Sequence, residues 1–189
     1  MTPIKALGVL FIVTFMSGCV SLLDATSDTP IEEHKGTRTL GAVVEDSNIE
    51  TKISVNLRKA SEYLKNSNID TISFNGTVLL VGEVPDDESK TLAGEVASKT
   101  RAVRKVYNEL KVSGVSTWLS RVNDSWLTTK VSTQMTFEKN LPSSRIKVVT
   151  EQGTVYLMGL VTKTEAEHAV AITQKIYGVE RIVKLFEYI

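Results

Sequence analysis

A single cysteine, Cys19, stands in 189 residues, so no disulfide can close within the chain, whatever its redox compartment. Charge of one sign is also lacking, since 22 Lys plus Arg balance 22 Asp plus Glu. That balance removes any global electrostatic drive toward nucleic acid or a polyanionic partner and leaves charge-driven binding to local patches. Histidine is scarce: His34 and His168 are far apart, Cys19 stands away from both, and no metal-ligating set follows. No G-x-G-x-x-G or Walker pattern carries a strand into a helix. His168, beside Glu165 and Glu167 on the polar side of a helical stretch, reads as a solvated surface residue, so the chain is read as a non-enzyme. The apolar run Ala6 to Phe15 is too short to cross a bilayer as a permanent helix.

What is present is a repeat. Gly76 to Val84 (GTVLLVGEV) returns at Gly153 to Val161 (GTVYLMGLV), with six identical positions. Val78, Leu80, Gly82 and Val84 alternate onto one face, as do Val155, Leu157, Gly159 and Val161, which predicts two half-buried strands with that face on a core. Each copy has about 70 residues, near the lower limit for one hydrophobic core. In copy one, Ile49, Ile53 and Leu57 recur at helical spacing, and Asp46 or Ser47 is the expected cap. A strand Ile69 to Phe74, the turn Asn75-Gly76 and the strand to Val84 follow. Pro85-Asp86-Asp87-Glu88 opens a second helix, and a strand carrying Val106, Leu110 and Val112 closes the copy. Copy two repeats the order: Leu127, Val131 and Met135 form the stripe, Gln152-Gly153 the turn, Thr162 with Glu165 a capping box, and Ile182 to Tyr188 the last strand. The predicted class is α+β, two domains each ordered helix-strand-strand-helix-strand, with a three-stranded mixed sheet on two helices. Gly82 and Gly159 are expected to let a helix approach the sheet.

Lys5, the apolar run and Met16-Ser17-Gly18-Cys19 resemble the signal segment and lipobox of bacterial lipoproteins, although Met16 stands where Leu is usual. The resemblance implies a signal peptide over 1–18, a diacylglycerol and an N-acyl chain on Cys19, and no other cofactor. Val20, in place of an Asp retention signal, implies sorting to the outer membrane. Residues 19–44, rich in Ser, Thr, Asp and Glu, read as the lipidated start and a flexible tether, with His34 a solvated loop residue. The domains are placed at 45–113 and 123–189, with a connector at 114–122.

A helix, then I-x-V-x-x-x-x-G-x-V-x-L-x-G-x-V at Ile146 to Val161, then a helix ending in G-V-x-x-V at Gly178 to Ile182, resembles the BON domain (bacterial OsmY and nodulation). Copy one departs with Thr71 in place of Val and Ala102 before Val103. Two such domains behind a lipobox are similar to dual-BON outer-membrane lipoproteins of the DolP type, above all at Asn123 to Val131 and Arg38 to Gly41. The resemblance implies a periplasmic, non-enzymatic protein that supports outer-membrane integrity and concentrates at division sites. It also implies that the second domain binds anionic phospholipid, phosphatidylglycerol or cardiolipin.

Trp126 is where the residues meet that expectation. It precedes Leu127 of the stripe by one position, so it falls on the flank of the core face. Thr129, Lys130, Thr133 and Phe137 share its side of the helix, whereas copy one has Asn48, Lys52, Val55 and Lys59 at the positions of Trp126, Lys130, Thr133 and Phe137. A Trp ring sits at headgroup level in a bilayer, and a neighbouring Lys can meet a lipid phosphate. The competing reading is that Trp126 packs on the first domain or the connector, with Trp118 as its partner. A second function class, an adaptor for envelope-assembly or cell-wall proteins, rests on Tyr156, Met158 and Leu160, expected to form an apolar outer face unless the neighbouring domain or connector covers it.

Overall fold

The structure, a computed structural model, describes residues 36–114 and 118–189. The signal segment, Cys19, His34, most of the tether and the 115–117 portion of the connector lie outside the described residues, as does the Trp118 side chain.

The first helix, α1 (Leu40–Ala60), starts earlier than its apolar stripe suggests, because the Thr39 side chain caps it by accepting from the Ala42 amide. It therefore takes in residues expected to belong to the tether. Ile49, Ile53 and Leu57 are buried on one side, as their spacing requires. The helix breaks at Ser61, whose hydroxyl recaps a short α2 (Glu62–Asn66). Strands β1 (Asn68–Phe74) and β2 (Thr77–Val84) pair antiparallel across Asn75-Gly76, both at positive φ, the geometry of a two-residue type I′ hairpin. Asp86 caps α3 (Asp87–Ser98), which returns the chain to β3 (Lys105–Asn108) and β4 (Lys111–Val112), both parallel to β2.

The second domain repeats this plan. Its first helix, α4 (Trp118–Thr136), begins inside the stretch expected to be connector. After a short 3-10 turn come β5 (Ile146–Glu151) and β6 (Thr154–Val161), then α5 (Lys163–Gln174) behind the Thr162–Glu165 capping box, then β7 (Arg181–Tyr188) parallel to β6.

One strand differs between the copies. β7 runs unbroken beside β6, but its counterpart is split at Glu109-Leu110. Opposite the break, Gly82 of β2 takes φ +115, whereas its counterpart Gly159 has no positive φ, and the pairing register is the same on both sides of the gap. Gly82 and Gly159 do not make room for a helix, as expected, but for a neighbouring strand. A Cβ at Gly82 would lie 2.0 Å from the Asn68 carbonyl oxygen, and one at Gly159 would lie 2.4 Å from that of Arg145.

Three apolar clusters result. The first lies between the helices and sheet of domain one, around Ile49, Ile53, Val78 and Leu80. The second is its counterpart around Leu127, Val131, Val155 and Leu157. The third joins the outer faces of the two sheets: Phe74, Leu79 and Val81 meet Tyr156, Met158 and Leu185. Tyr156 and Met158, expected to be exposed, are thus fully buried, and Leu160 is partly covered. The sheets pack face to face with the helices outside, because each buried side chain of this size gains about 1.5–3 kcal/mol on leaving water.

The packing has an approximate two-fold. Lys111, near the end of domain one, donates to Gln152 in the second hairpin turn at 2.8 Å. The equivalent pair is Glu187, near the end of domain two, and Asn75 in the first turn at 3.4 Å. Glu187 also accepts from Thr77 and Arg104. A chain that repeats itself thereby makes the self-complementary contact of a symmetric dimer.

Candidate functional site

Asp46 shows how the helices hold the hairpins. It sits inside α1, where a carboxylate is a poor helix residue, and is buried. Its oxygens accept from the Asn75 and Gly76 amides, the Ser73 hydroxyl and Arg38 at 2.7–2.9 Å. Burial pushes its pKa upward, but the bonds from Gly76, Ser73, Asn75 and Arg38 together hold it below the usual carboxylate range. Asp46 is therefore a cap, though for the hairpin rather than its own helix. Asp124 in α4 does the same for the Gln152 and Gly153 amides, at 2.8 and 3.0 Å. Both helices are thus fixed in rotation against their sheets, and that rotation decides which residues of α4 face solvent.

Leu127, Val131 and Met135 point into the domain core with essentially no exposure. Trp126 consequently lies outside, 52% exposed. Lys130 Nζ stands 4.5 Å from the Trp126 ring centroid, a cation–π pair one turn apart. Thr129 and Thr133 are exposed beside them, and the Thr129 hydroxyl is satisfied by the Ser125 carbonyl at 2.9 Å. Phe137 follows the helix end, held by its amide to the Thr133 carbonyl and 81% exposed.

The five residues share one exposed side of α4, but they are not one cluster. Trp126 and Lys130 touch, while Phe137 lies eleven residues on, about 16 Å along the axis. Besides Tyr188 and Ile189 at the last strand, two exposed apolar residues near α4 were missed in the sequence reading. Val122 is one turn before Trp126 on the same side, within the stretch assigned to the connector. Tyr177, the most exposed large apolar residue of this domain among the described residues, precedes Gly178, where an added Cβ would lie 3.1 Å from the Leu127 side chain. That contact sets the Tyr177 turn beside α4. The signal for it was available in the repeat, where Arg101-Ala102 matches Tyr177-Gly178 and Ala102 keeps the positive φ. Trp126, Phe137 and Tyr177 thus replace Asn48, Lys59 and Arg101 of the first domain.

His168 Nε2 faces Glu138 Oε1 at 3.7 Å, a partly exposed pair on the outside of α5. Among the described residues no helix is long and apolar enough to cross a membrane, and no three ligating side chains converge on a metal position.

Comparison with known proteins places these features. The model of the BON domain matches residues 45–114 and again 123–189. The outer membrane lipoprotein DolP of Haemophilus influenzae is 33% identical over 190 aligned residues, covering 100% of this chain and 98% of that protein. The 21 kDa hemolysin of Actinobacillus pleuropneumoniae is 28% identical, covering 80% of this chain and 78% of the other. Among solved structures, the C-terminal domain of CdsD, a structural protein of the type III secretion system of Chlamydia trachomatis, has 15% identity and a TM-score of 0.30, covering 76% of this chain and 67% of that one.

Proposed function

Because this chain belongs to the BON-domain family, as a dual-BON outer-membrane lipoprotein of the DolP type, we propose that it works on the membrane that anchors it, binding anionic phospholipid through its second domain. It resides at the outer membrane, lipid-anchored on the periplasmic face. Cys19 carries the diacylglycerol and the N-acyl chain in this reading. Each buried CH₂ contributes about 0.8 kcal/mol, so three chains hold the protein without a spanning helix.

The observation that carries the proposal is the exposed Trp126 ring with Lys130 stacked on it, at a place where the first domain has Asn48 and Lys52. Trp126 inserts at headgroup depth, Lys130 meets the phosphate of phosphatidylglycerol or cardiolipin, and Thr129 and Thr133 lie within the polar layer. Phe137 extends the apolar contact along α4, and Tyr177 adds a third aromatic from the α5 turn. Binding of this kind supports outer-membrane integrity by recruiting the folded domains to anionic lipid, which is also the basis we propose for accumulation at division sites. The adaptor reading loses its main support, since Tyr156 and Met158 are covered by domain one. Neither relative's name denotes an enzyme, and we assign the chain a binding role.

Co-sedimentation of residues 20–189 with phosphatidylglycerol vesicles tests the proposal. Trp126→Glu should cut binding at least tenfold with an unchanged circular dichroism spectrum, and Lys130→Gln should remove most of the salt dependence. Undiminished binding by a folded Trp126→Glu protein would overturn it.

A further inference from the structure

Residues of the edge strands β1 and β5 come together at two places where the domains meet, Lys147 with Ser73 at one and Asp70 with Thr150 around a cavity at the other, and the approximate two-fold makes these two ends equivalent. At one end the chain supplies its own cations. Lys147 of β5 donates to Glu50 Oε1 at 2.9 Å and to the Ser73 carbonyl at 3.3 Å. Arg38 bonds Asp46 at 2.8 Å and stacks on Phe74, its guanidinium carbon 3.9 Å from the ring centroid. Two cations face two carboxylates, and this end is filled.

At the other end the alignment of the repeats removes the cation and adds carboxyls. Lys147 corresponds to Asp70, Glu50 to Thr128, Phe74 to Glu151, and Asp46 to Asp124. A cavity of about 450 Å³ opens there, lined among others by Asn68, Asp70, Asp124, Thr128 and Glu151. Arg121 lines it as well and has partners of its own. Glu151 is 8% exposed, and no hydrogen bond or ion pair reaches its carboxyl among the described residues. Asp124 keeps the two turn amides but has no counterpart to the Arg38 guanidinium among those residues.

A buried carboxyl facing other carboxyls is costly to ionise. Burial first, then the charges of Glu83 on β2, Asp124 on α4 and Asp70 on β1, raise Glu151 to about 7, with Lys111 of β4 acting the other way. Such a group is stabilised by a cation that brings its own hydrogen-bond donors. Since no three ligating groups converge on a metal position among the described residues, the lining suits an extended organic cation better than a divalent ion. The first repeat shows which shape fits: a planar guanidinium against a hairpin-capping aspartate and the residue before the turn.

We propose that this cavity is a binding site for a guanidinium or primary ammonium group from outside the folded domains, occupying the place that Arg38 holds in the first repeat. Glu151 and Asp124 are its acceptors, and Asp70 draws it in from the mouth. The group can belong to a small solute or to an Arg or Lys side chain of a protein; the recognition chemistry is the same.

Isothermal titration of the full-length protein in detergent decides it, with three probes: argininamide, the capped tripeptide Ala-Arg-Ala, and citrullinamide as the neutral isostere. Argininamide should bind, and citrullinamide at least tenfold more weakly. Affinity should rise from pH 6 to pH 8, because the cation binds the ionised Glu151 and competes with its proton. Glu151→Gln should weaken argininamide about tenfold, and Glu151→Lys, which sets a like charge where the cation would sit, should abolish binding. If the tripeptide matches argininamide, a protein side chain can be the source; if only argininamide binds, the source is a small solute. Absence of argininamide binding, equal affinity for citrullinamide, or binding indifferent to both folded variants would overturn the proposal. Should the variants fail to fold, the citrullinamide control and the pH trend in the unaltered protein still decide it.

Discussion

The two domains share their hairpin turns, their hairpin-capping aspartates and the alternation of their central strands, and they diverge at the surface those features present. The carboxylates of domain one are paired within the chain, Asp46 with Arg38 of its own domain and Glu50 with Lys147 of domain two, and its first helix shows Asn48, Lys52 and Lys59 to solvent. Domain two leaves comparable positions open, with Trp126, Phe137 and Tyr177 outside and Glu151 without a partner among the described residues. When one unit is duplicated, the positions set by the fold are constrained in both copies, while the remainder are free to differ. The difference between copies is therefore a better guide to binding than either copy alone.

Breaking the shared scaffold should give the largest effects, and unequal ones. Gly82→Ala adds a Cβ 2.0 Å from the Asn68 carbonyl at a positive φ, whereas Gly159→Ala adds one 2.4 Å from the Arg145 carbonyl without that φ. Urea unfolding should show about 4 kcal/mol lost in the first and about 2 in the second. Equal losses would mean that the positive φ at Gly82 adds nothing to the cost of the clash.

The capping aspartates should rank next. Asp46→Ala strands four donors and Asp124→Ala two, so the costs should be about 3 and about 1.5 kcal/mol by the same measurement. The Asp46 contribution also has a sign in pH. Its pKa is lowered in the fold, so the stabilisation is complete above the ordinary carboxylate range and disappears as pH falls through the lowered value. The gap between the native protein and Asp46→Ala should narrow on acidification below about pH 4.

The smallest expected effect would sharpen the contrast most. Asn48→Trp, placed in a Trp126→Asn background, moves the aromatic to the helix that already carries Lys52. Vesicle co-sedimentation should recover two- to threefold and no more, because Lys59 and Arg101 stand where Phe137 and Tyr177 would add contact. Full recovery would show that a single exposed Trp on either domain is sufficient.

Much of this was legible beforehand, and for reasons specific to the residues. Asn75-Gly76, the Thr162–Glu165 box and the Ile49, Ile53, Leu57 stripe are local signals whose physics is complete within a few positions. Trp126 could be placed on a flank because helix geometry fixes its angle from Leu127. The start of α1 was not legible, since Asp46 resembles a helix cap and its true partners lie in a turn some thirty residues later. The covered sheet faces were hidden for a different reason. β2 is buried along its whole length, so alternation marks which side faces which cluster but not which side is wet. Tyr177 joined the candidate surface only through the contact between Gly178 and Leu127, which no periodicity reports.

The apolar cluster between the sheets also bears on the fate of the protein after damage. A protease that cuts between Gly114 and Trp118 severs the only covalent path from domain two toward the N-terminus. The sheet faces and the Lys111–Gln152 and Glu187–Asn75 pairs still join the two fragments. Nicked molecules should elute intact from a sizing column and separate only in denaturant, so that a clipped second domain stays at its post instead of drifting away.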